Sequence, residues 1–202
     1  IRRGGNRFHG HATRNMKPSP LAFSTSETSK KPFDKILISN RGEIACRVIR
    51  TAKKLGIQTV ALYSDMDGPG SLHAQMADEA VKIGYGPSPS ESYLLGDEVL
   101  NIAAATGAQA IHPGYGFLSE NSTFASSAMD AGITFIGPPP SAIMAMGSKS
   151  HSKVIMDDAC VPTTPGYHGD NQDVEYLKHE AVHNVGFPLL IKATMGGGGK
   201  GM

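Results

Sequence analysis

The sequence predicts an α/β domain on a doubly wound parallel sheet, and three observations carry that prediction. Short apolar runs alternate with segments whose apolar residues recur at spacings of three and four, the pattern of strand followed by helix. The runs place Ile, Val, Leu and Ala on consecutive positions, as strands covered on both faces require. Aromatic residues are only 6% of the 202 and Trp is absent, so the core must rest on aliphatic side chains.

The first segment stands apart from this pattern. Residues 1–26 contain no Asp or Glu, and Arg2, Arg3, Arg7, Arg14 and Lys17 give them a charge of +5. The remaining 176 residues carry 14 basic and 18 acidic side chains, a net of −4. An Arg-rich, acid-free stretch bearing Ser and Thr reads as a mitochondrial transit peptide, with a disordered tail as the alternative. Its end is expected between Phe23 and Lys31, and residues 1–32 are assigned to this leader.

The ordered pattern begins at Phe33. Lys35-Ile-Leu-Ile-Ser-Asn40 is an apolar run that turns polar. Ile44, Ala45, Val48, Ile49, Ala52 and Leu55 then mark one face of a helix over Glu43–Leu55, closed by Gly56. Gln58–Ser64 is the next buried strand, joined by a crossover of the length a parallel pair needs. The alternation repeats with a helix over Asp97–Ala105, a strand over Ala108–His112, a helix over Ser122–Ala131 closed by Gly132, and a strand over Thr134–Gly137. Pro138-Pro-Pro140 marks the boundary of the first domain, residues 33–140. Beyond it the spacing predicts helices over Ser148–Ala159 and Val174–Val185 and a strand over Pro188–Ala193. The chain stops inside the glycine run Gly196–Gly201. Residues 141–202 therefore read as the start of a second domain, and the sequence as part of a longer protein.

Composition excludes several functions. The 19 basic and 18 acidic residues leave no bulk charge for binding nucleic acid. No apolar run approaches the roughly 18 residues that span a bilayer. Cys46 and Cys160 lie in helix-like segments without a ligand spacing, as expected of a reducing compartment without a structural disulfide.

Five places are weighed for chemistry. Gly196-Gly-Gly-Gly-Lys-Gly201 can close over phosphates through backbone N–H groups, with Lys200 adding charge; the alternative is a flexible surface loop. It is not a Walker A loop, since Gly201 follows Lys200 where Ser or Thr is needed. Lys192, in the run Leu189–Ala193, would be costly to bury without an anion, but an alternating strand could equally point it outward. Asn40-Arg-Gly-Glu43 stands where such folds bind nucleotides but lacks GxGxxG. It reads as structural, Gly42 making the turn and Glu43 favouring the helix N-terminus. His112-Pro-Gly-Tyr-Gly-Phe-Leu-Ser-Glu-Asn121 leaves the C-terminal end of a strand, where open α/β sheets bind ligands, and is too rich in Gly, polar and aromatic groups for a connection. His179 and His183 share a helix face without a third metal ligand and read as solvated residues.

Taken in order, Lys35–Ala45, Ala77-Asp-Glu-Ala80, His112–Asn121, Phe135-Ile-Gly-Pro138, Met146-Gly-Ser-Lys149 and Gly196–Met202 resemble the biotin carboxylase family from about Phe33 to the end. The ten-residue His112–Asn121 block is its most specific part. Within the family, Gly166-Tyr-His-Gly169 with Asp170 and Gln172, together with the leader, is most similar to the biotin-containing subunit of a mitochondrial acyl-CoA carboxylase.

The resemblance implies a Rossmann-like preATP-grasp domain followed by the start of an ATP-grasp domain. It implies an ATP-dependent ligase that uses MgATP to activate bicarbonate as carboxyphosphate and transfers the carboxyl group to biotin. Lys149, Lys192 and the mobile loop with Gly198, Gly199 and Lys200 would bind ATP, and Tyr115 and Gly116 would stand at the biotin pocket. The magnesium ligands, bicarbonate-binding arginine and catalytic base of the family are expected beyond residue 202, so this stretch alone should be inactive. Expected partners are a biotin carrier domain and a carboxyltransferase β subunit in an oligomeric enzyme of the mitochondrial matrix, without nucleic acid or membrane. Met195 departs from the family, many members of which have Gly or a polar residue there. Two other classes compete: a dinucleotide-binding oxidoreductase domain, weakened by the missing GxGxxG and by Asp65 as the only acidic residue ending the second strand, and a non-catalytic carrier or assembly module.

Overall fold

The computed structural model describes residues 31–193. The leader and the glycine run, with Gly198, Gly199 and Lys200, lie outside the described residues. Five parallel strands form one sheet: β1 (Lys35–Ile38), β2 (Gln58–Tyr63), β3 (Glu79–Lys82), β4 (Ala110–His112) and β5 (Thr134–Phe135), in the order β3-β2-β1-β4-β5. The helices are α1 (Gly42–Lys54), α2 (Leu72–Met76), α3 (Gly96–Thr106), α4 (Ser122–Asp130), α5 (Pro140–Gly147), α6 (Lys149–Asp158) and α7 (Val174–Glu180).

Consecutive side chains of β1 feed two separate cores, the reason for its unbroken apolar run. Leu37 packs with Val60, Leu62 and Ile111 on one face, beneath Val99 and Ala103 of α3 and Phe124, Ala125 and Ala128 of α4. Ile36 and Ile38 pack on the other face with Ala61, Ala110 and the Ala45, Ile49 and Ala52 stripe of α1. Helices on both faces of a parallel sheet make the doubly wound α/β arrangement that the alternation predicts. Its strand order reverses between β1 and β4.

Four parts differ from the sequence reading. α2 and β3 form where no element is expected. β3 is an edge strand whose residues are exposed or half-buried, so it carries no apolar signal, and backbone pairing of Val60–Tyr63 with Glu79–Lys82 makes it. α5 starts at Pro140, because the first helical position needs no N–H donor. Its Ile143 is buried in the core under α3 and α4. Pro188–Ala193 is not a strand: a strand exists only as half of a hydrogen-bonded pair, and the described residues supply no neighbour there. Leu190 and Ile191 accordingly stand exposed. Cys160 lies just past α6, at φ +56°, and is an exposed free thiol, whereas Cys46 is a buried one in α1. Among the described residues no helix is long and apolar enough to cross a membrane.

Candidate functional site

The reversal of strand order brings the C-terminal ends of β1 and β4 side by side, with Ile38 opposite His112. In this fold class the crevice between two such strands receives the ligand. Here it is filled from within. Asn40 is 1% exposed, and its Nδ2 donates to the carbonyl oxygens of Pro113 (2.8 Å) and Tyr115 (2.9 Å). Its Oδ1 accepts the Arg41 N–H at 2.9 Å. The turn after β4 is thereby drawn over the end of β1, where a dinucleotide pyrophosphate would need open backbone. Asp65 points elsewhere too, pairing with Lys82 of β3 at 2.7 Å. Both observations weigh against the dinucleotide reading.

Gly42 begins α1 at φ +57°, a conformation that favours glycine, and its N–H donates to Nδ1 of the buried His73 at 3.3 Å. His73 Nε2–H in turn donates to the Leu62 carbonyl at 3.0 Å, so the ring ties the start of α1 to β2. Beside it, Asp67 accepts from Tyr93 Oη (2.6 Å), Ser64 Oγ (2.7 Å) and Arg41 (3.0 Å). Burial pushes the Asp67 carboxyl up, but the bonds from Tyr93, Ser64 and Arg41 outweigh it and hold the group below the ordinary carboxylate value. Burial, and then the Asp67 carboxylate, raise the Tyr93 phenol well above its ordinary value, so it remains a donor. Tyr93 also stacks on Phe117, with centroids 5.1 Å apart, and so connects this network to the segment after β4.

Within His112–Asn121 the residues divide by role. Phe117 packs against the core and Leu118 is buried in it, while Asn121 Oδ1 caps α4 by accepting the Phe124 N–H at 2.9 Å. Tyr115 is 76% exposed, and Gly116, at φ +69°, has open space where a side chain would stand. An exposed aromatic face beside bare backbone on a fixed turn can receive a flat polar ring. A groove of about 620 Å³ runs along α1 to the back of this turn, lined by Phe33, Ile36, Ile44, Val48 and Tyr115. Its mainly apolar walls do not suit phosphates.

His112 is half-buried, and its Nδ1 accepts the Gly114 N–H at 3.0 Å, which requires the neutral ring with hydrogen on Nε2. Burial lowers its pKa from the ordinary 6.5. The unfolded chain takes up this proton first on acidification, so the unfolded state binds more protons and stability falls as pH drops below about 6.5. His112→Asn keeps an acceptor near the position of Nδ1 without the titration. It should flatten the pH dependence of urea unfolding between about pH 7 and pH 5. A wild-type slope in that variant would assign the dependence to other groups.

The remaining predicted residues stand on other elements. Lys149 opens α6 and is half-buried, with Ser148 capping that helix through the His151 N–H. Lys192 is exposed in the irregular stretch before residue 194. His179 and His183 stack on one another at the surface. Among the described residues no three His, Cys, Asp or Glu side chains are grouped to hold a metal ion. The sequence reading missed Asn40, Asp67, His73 and Tyr93 as contributors. The only local signal was a polar Asn ending an apolar run; the others lack one, because their partners lie on other elements.

Comparisons with known proteins extend this picture. The family model described as biotin carboxylase, N-terminal domain, matches residues 32–143, and that described as carbamoyl-phosphate synthase L chain, ATP binding domain, matches residues 148–202. The mitochondrial methylcrotonoyl-CoA carboxylase subunit alpha of Arabidopsis thaliana is 59% identical over 186 residues, covering 90% of this chain and 25% of that protein. The propionyl-CoA carboxylase alpha chain of Ruegeria pomeroyi is 57% identical over 173 residues, covering 84% and 24%. The chain thus spans about a quarter of the length of these relatives. Among solved structures, the biotin carboxylase domain dimer of Hydrogenobacter thermophilus 2-oxoglutarate carboxylase, in complex with MgADP, ADP and bicarbonate, is similar with a TM-score of 0.76 at 51% identity. That match covers 82% of this chain and 36% of the other.

Proposed function

Because the chain belongs to the biotin carboxylase family, we propose that in its full-length form it carboxylates carrier-bound biotin with bicarbonate at the expense of ATP. The observation that carries this reading is the exposed Tyr115 beside the bare backbone of Gly116, on a turn held by a buried amide at the sheet's C-terminal edge. MgATP, when bound, would supply the phosphoryl group that activates bicarbonate. Lys149 and Lys192 would neutralise charge on its phosphate oxygens, and Gly198, Gly199 and Lys200 would close over them with backbone donors. Tyr115 and Gly116 would receive the biotin ring. The leader at residues 1–32 supports delivery to the mitochondrial matrix, and residues 33–140 and 141–202 are taken as the preATP-grasp domain and the start of the ATP-grasp domain.

The acyl acceptor proposed is methylcrotonoyl-CoA, in leucine breakdown, chosen by a separate carboxyltransferase β subunit in an oligomeric complex. The Arabidopsis relative and the Gly166–Gly169 loop with Asp170 and Gln172 favour it over propionyl-CoA, acetyl-CoA or pyruvate. The test is label transfer from radioactive bicarbonate by the full-length biotinylated protein with its carboxyltransferase. We expect ATP-dependent labelling of biotin, and transfer to methylcrotonoyl-CoA at least about tenfold faster than to propionyl-CoA. Faster labelling of propionyl-CoA would replace the acceptor, and biotin unlabelled in the presence of ATP would overturn the function.

A further inference from the structure

We infer that Asn40 is the positioning residue of the biotin site, acting through the backbone beneath Tyr115; the inference rests on reading Tyr115 and Gly116 as that site. Asn40 ends β1, whereas the turn it holds follows β4, 73 to 75 residues later. Both hydrogens of its amide are used, on the carbonyls of Pro113 and Tyr115, and its oxygen takes the Arg41 N–H. No other side chain of this size offers two donors and an acceptor in that arrangement. Aspartate would set lone pairs against two carbonyl oxygens, and an apolar residue would leave both carbonyls unpaired.

The same turn is held from its other side. His112 Nδ1 accepts the Gly114 N–H, so a ring secures the amide of Gly114 while Asn40 secures the carbonyls on either side of it. Gly114 itself, at φ +67°, leaves no room: a Cβ there would stand 2.7 Å from Asn40 Nδ2 and 2.8 Å from Ile44 Cγ2. Asn40 is steadied through its neighbour, since Arg41 is paired with Asp67, which Tyr93 and Ser64 hold. The Tyr115 ring projects from this clamped backbone into solvent. Fixed backbone beneath an open side chain is what preorganised recognition needs.

A purely architectural role is separable from this one. Pairing of β1 with β4 is already set by backbone bonds, including Ser39 N–H to the His112 carbonyl at 3.0 Å, so loss of the amide frees the turn and not the strand pair. The expected signature is therefore a change in KM for biotin and not a general loss of active protein.

The test uses the full-length chain without attached biotin, assayed with free biotin, MgATP and bicarbonate. Asn40→Asp should raise the KM for biotin at least about tenfold relative to the KM for ATP, as expected when two hydrogen bonds are lost and a repulsion is added. Gly114→Ala, which pushes on the same amide from the turn, should give the same split. Should Asn40→Asp not fold, Asn40→Ser removes a carbonyl partner without adding charge and carries the same comparison. Tyr115→Ala reports on the underlying reading. If it raises the KM for biotin while the Asn40 and Gly114 variants lower only kcat, Asn40 is architectural and the inference is wrong. If it leaves that KM unchanged, the biotin reading of Tyr115 fails and the inference fails with it.

Discussion

Replacing Lys192 with Gln in the full-length enzyme should lower ATP-dependent carboxylation of biotin by at least about tenfold. The glutamine keeps most of the side-chain stem but removes the charge. Hydrogen bonds to charged groups are worth about 1.5–3 kcal/mol, which in a rate spans roughly ten- to a hundredfold. If the contact tightens as phosphoryl transfer proceeds, kcat falls along with kcat/KM. Lys192 is exposed, and no ion pair joins it among the described residues, so the melting temperature without nucleotide should change little. Steady-state kinetics beside a thermal melt decides the matter. A variant that carboxylates normally but melts lower would make Lys192 a structural residue.

Leu37→Ala should destabilise the sheet domain by about 3–5 kcal/mol, a large part of the 5–15 kcal/mol that such domains possess. Leu37 is fully buried in the central strand, opposite Val60 on one side and Ile111 on the other. Helices α3 and α4 cover its face, so the space left by truncation has rigid walls. Leu55→Ala, at a position 57% exposed, is the control and should shift stability by no more than about 0.5 kcal/mol. Urea unfolding of both variants measures the difference. A loss under about 1 kcal/mol at Leu37 would mean that the site collapses around the smaller side chain.

Leu37 was legible in the sequence as a core residue, whereas the two lysines stand only as proposed ATP contacts. Leu37 belongs to a run apolar on every position, which only a strand covered on both faces explains. Lys149 is singled out only by resemblance and Lys192 first by its place in an apolar run, and the burial and partners of neither can be read from spacing. The apolar face of α1 was legible because each of its residues lies within one helical turn of the next. β3 was not, because Glu79–Lys82 becomes a strand only by lying against Val60–Tyr63. The expected strand at Pro188–Ala193 failed for the converse reason: apolar composition without a neighbouring strand does not make one.

What the sequence by itself determined is everything carried by neighbours along the chain: the alternation of strand and helix, the ends of α1 and α4, and the specific His112–Asn121 block that resembles the biotin carboxylase family. Tertiary structure alone decided how that block is arranged. Asn40 reads in sequence as the polar end of a strand, and only the adjacency of β1 and β4 turns its buried amide into a clamp on Pro113 and Tyr115. Phe117 and Leu118 likewise become core while Tyr115 is left exposed, because the turn packs one side against Tyr93 and opens the other to solvent. Periodicity records which faces a segment can bury; hydrogen bonds between residues more than 70 positions apart depend on which segments meet, and that is set by packing of the whole sheet.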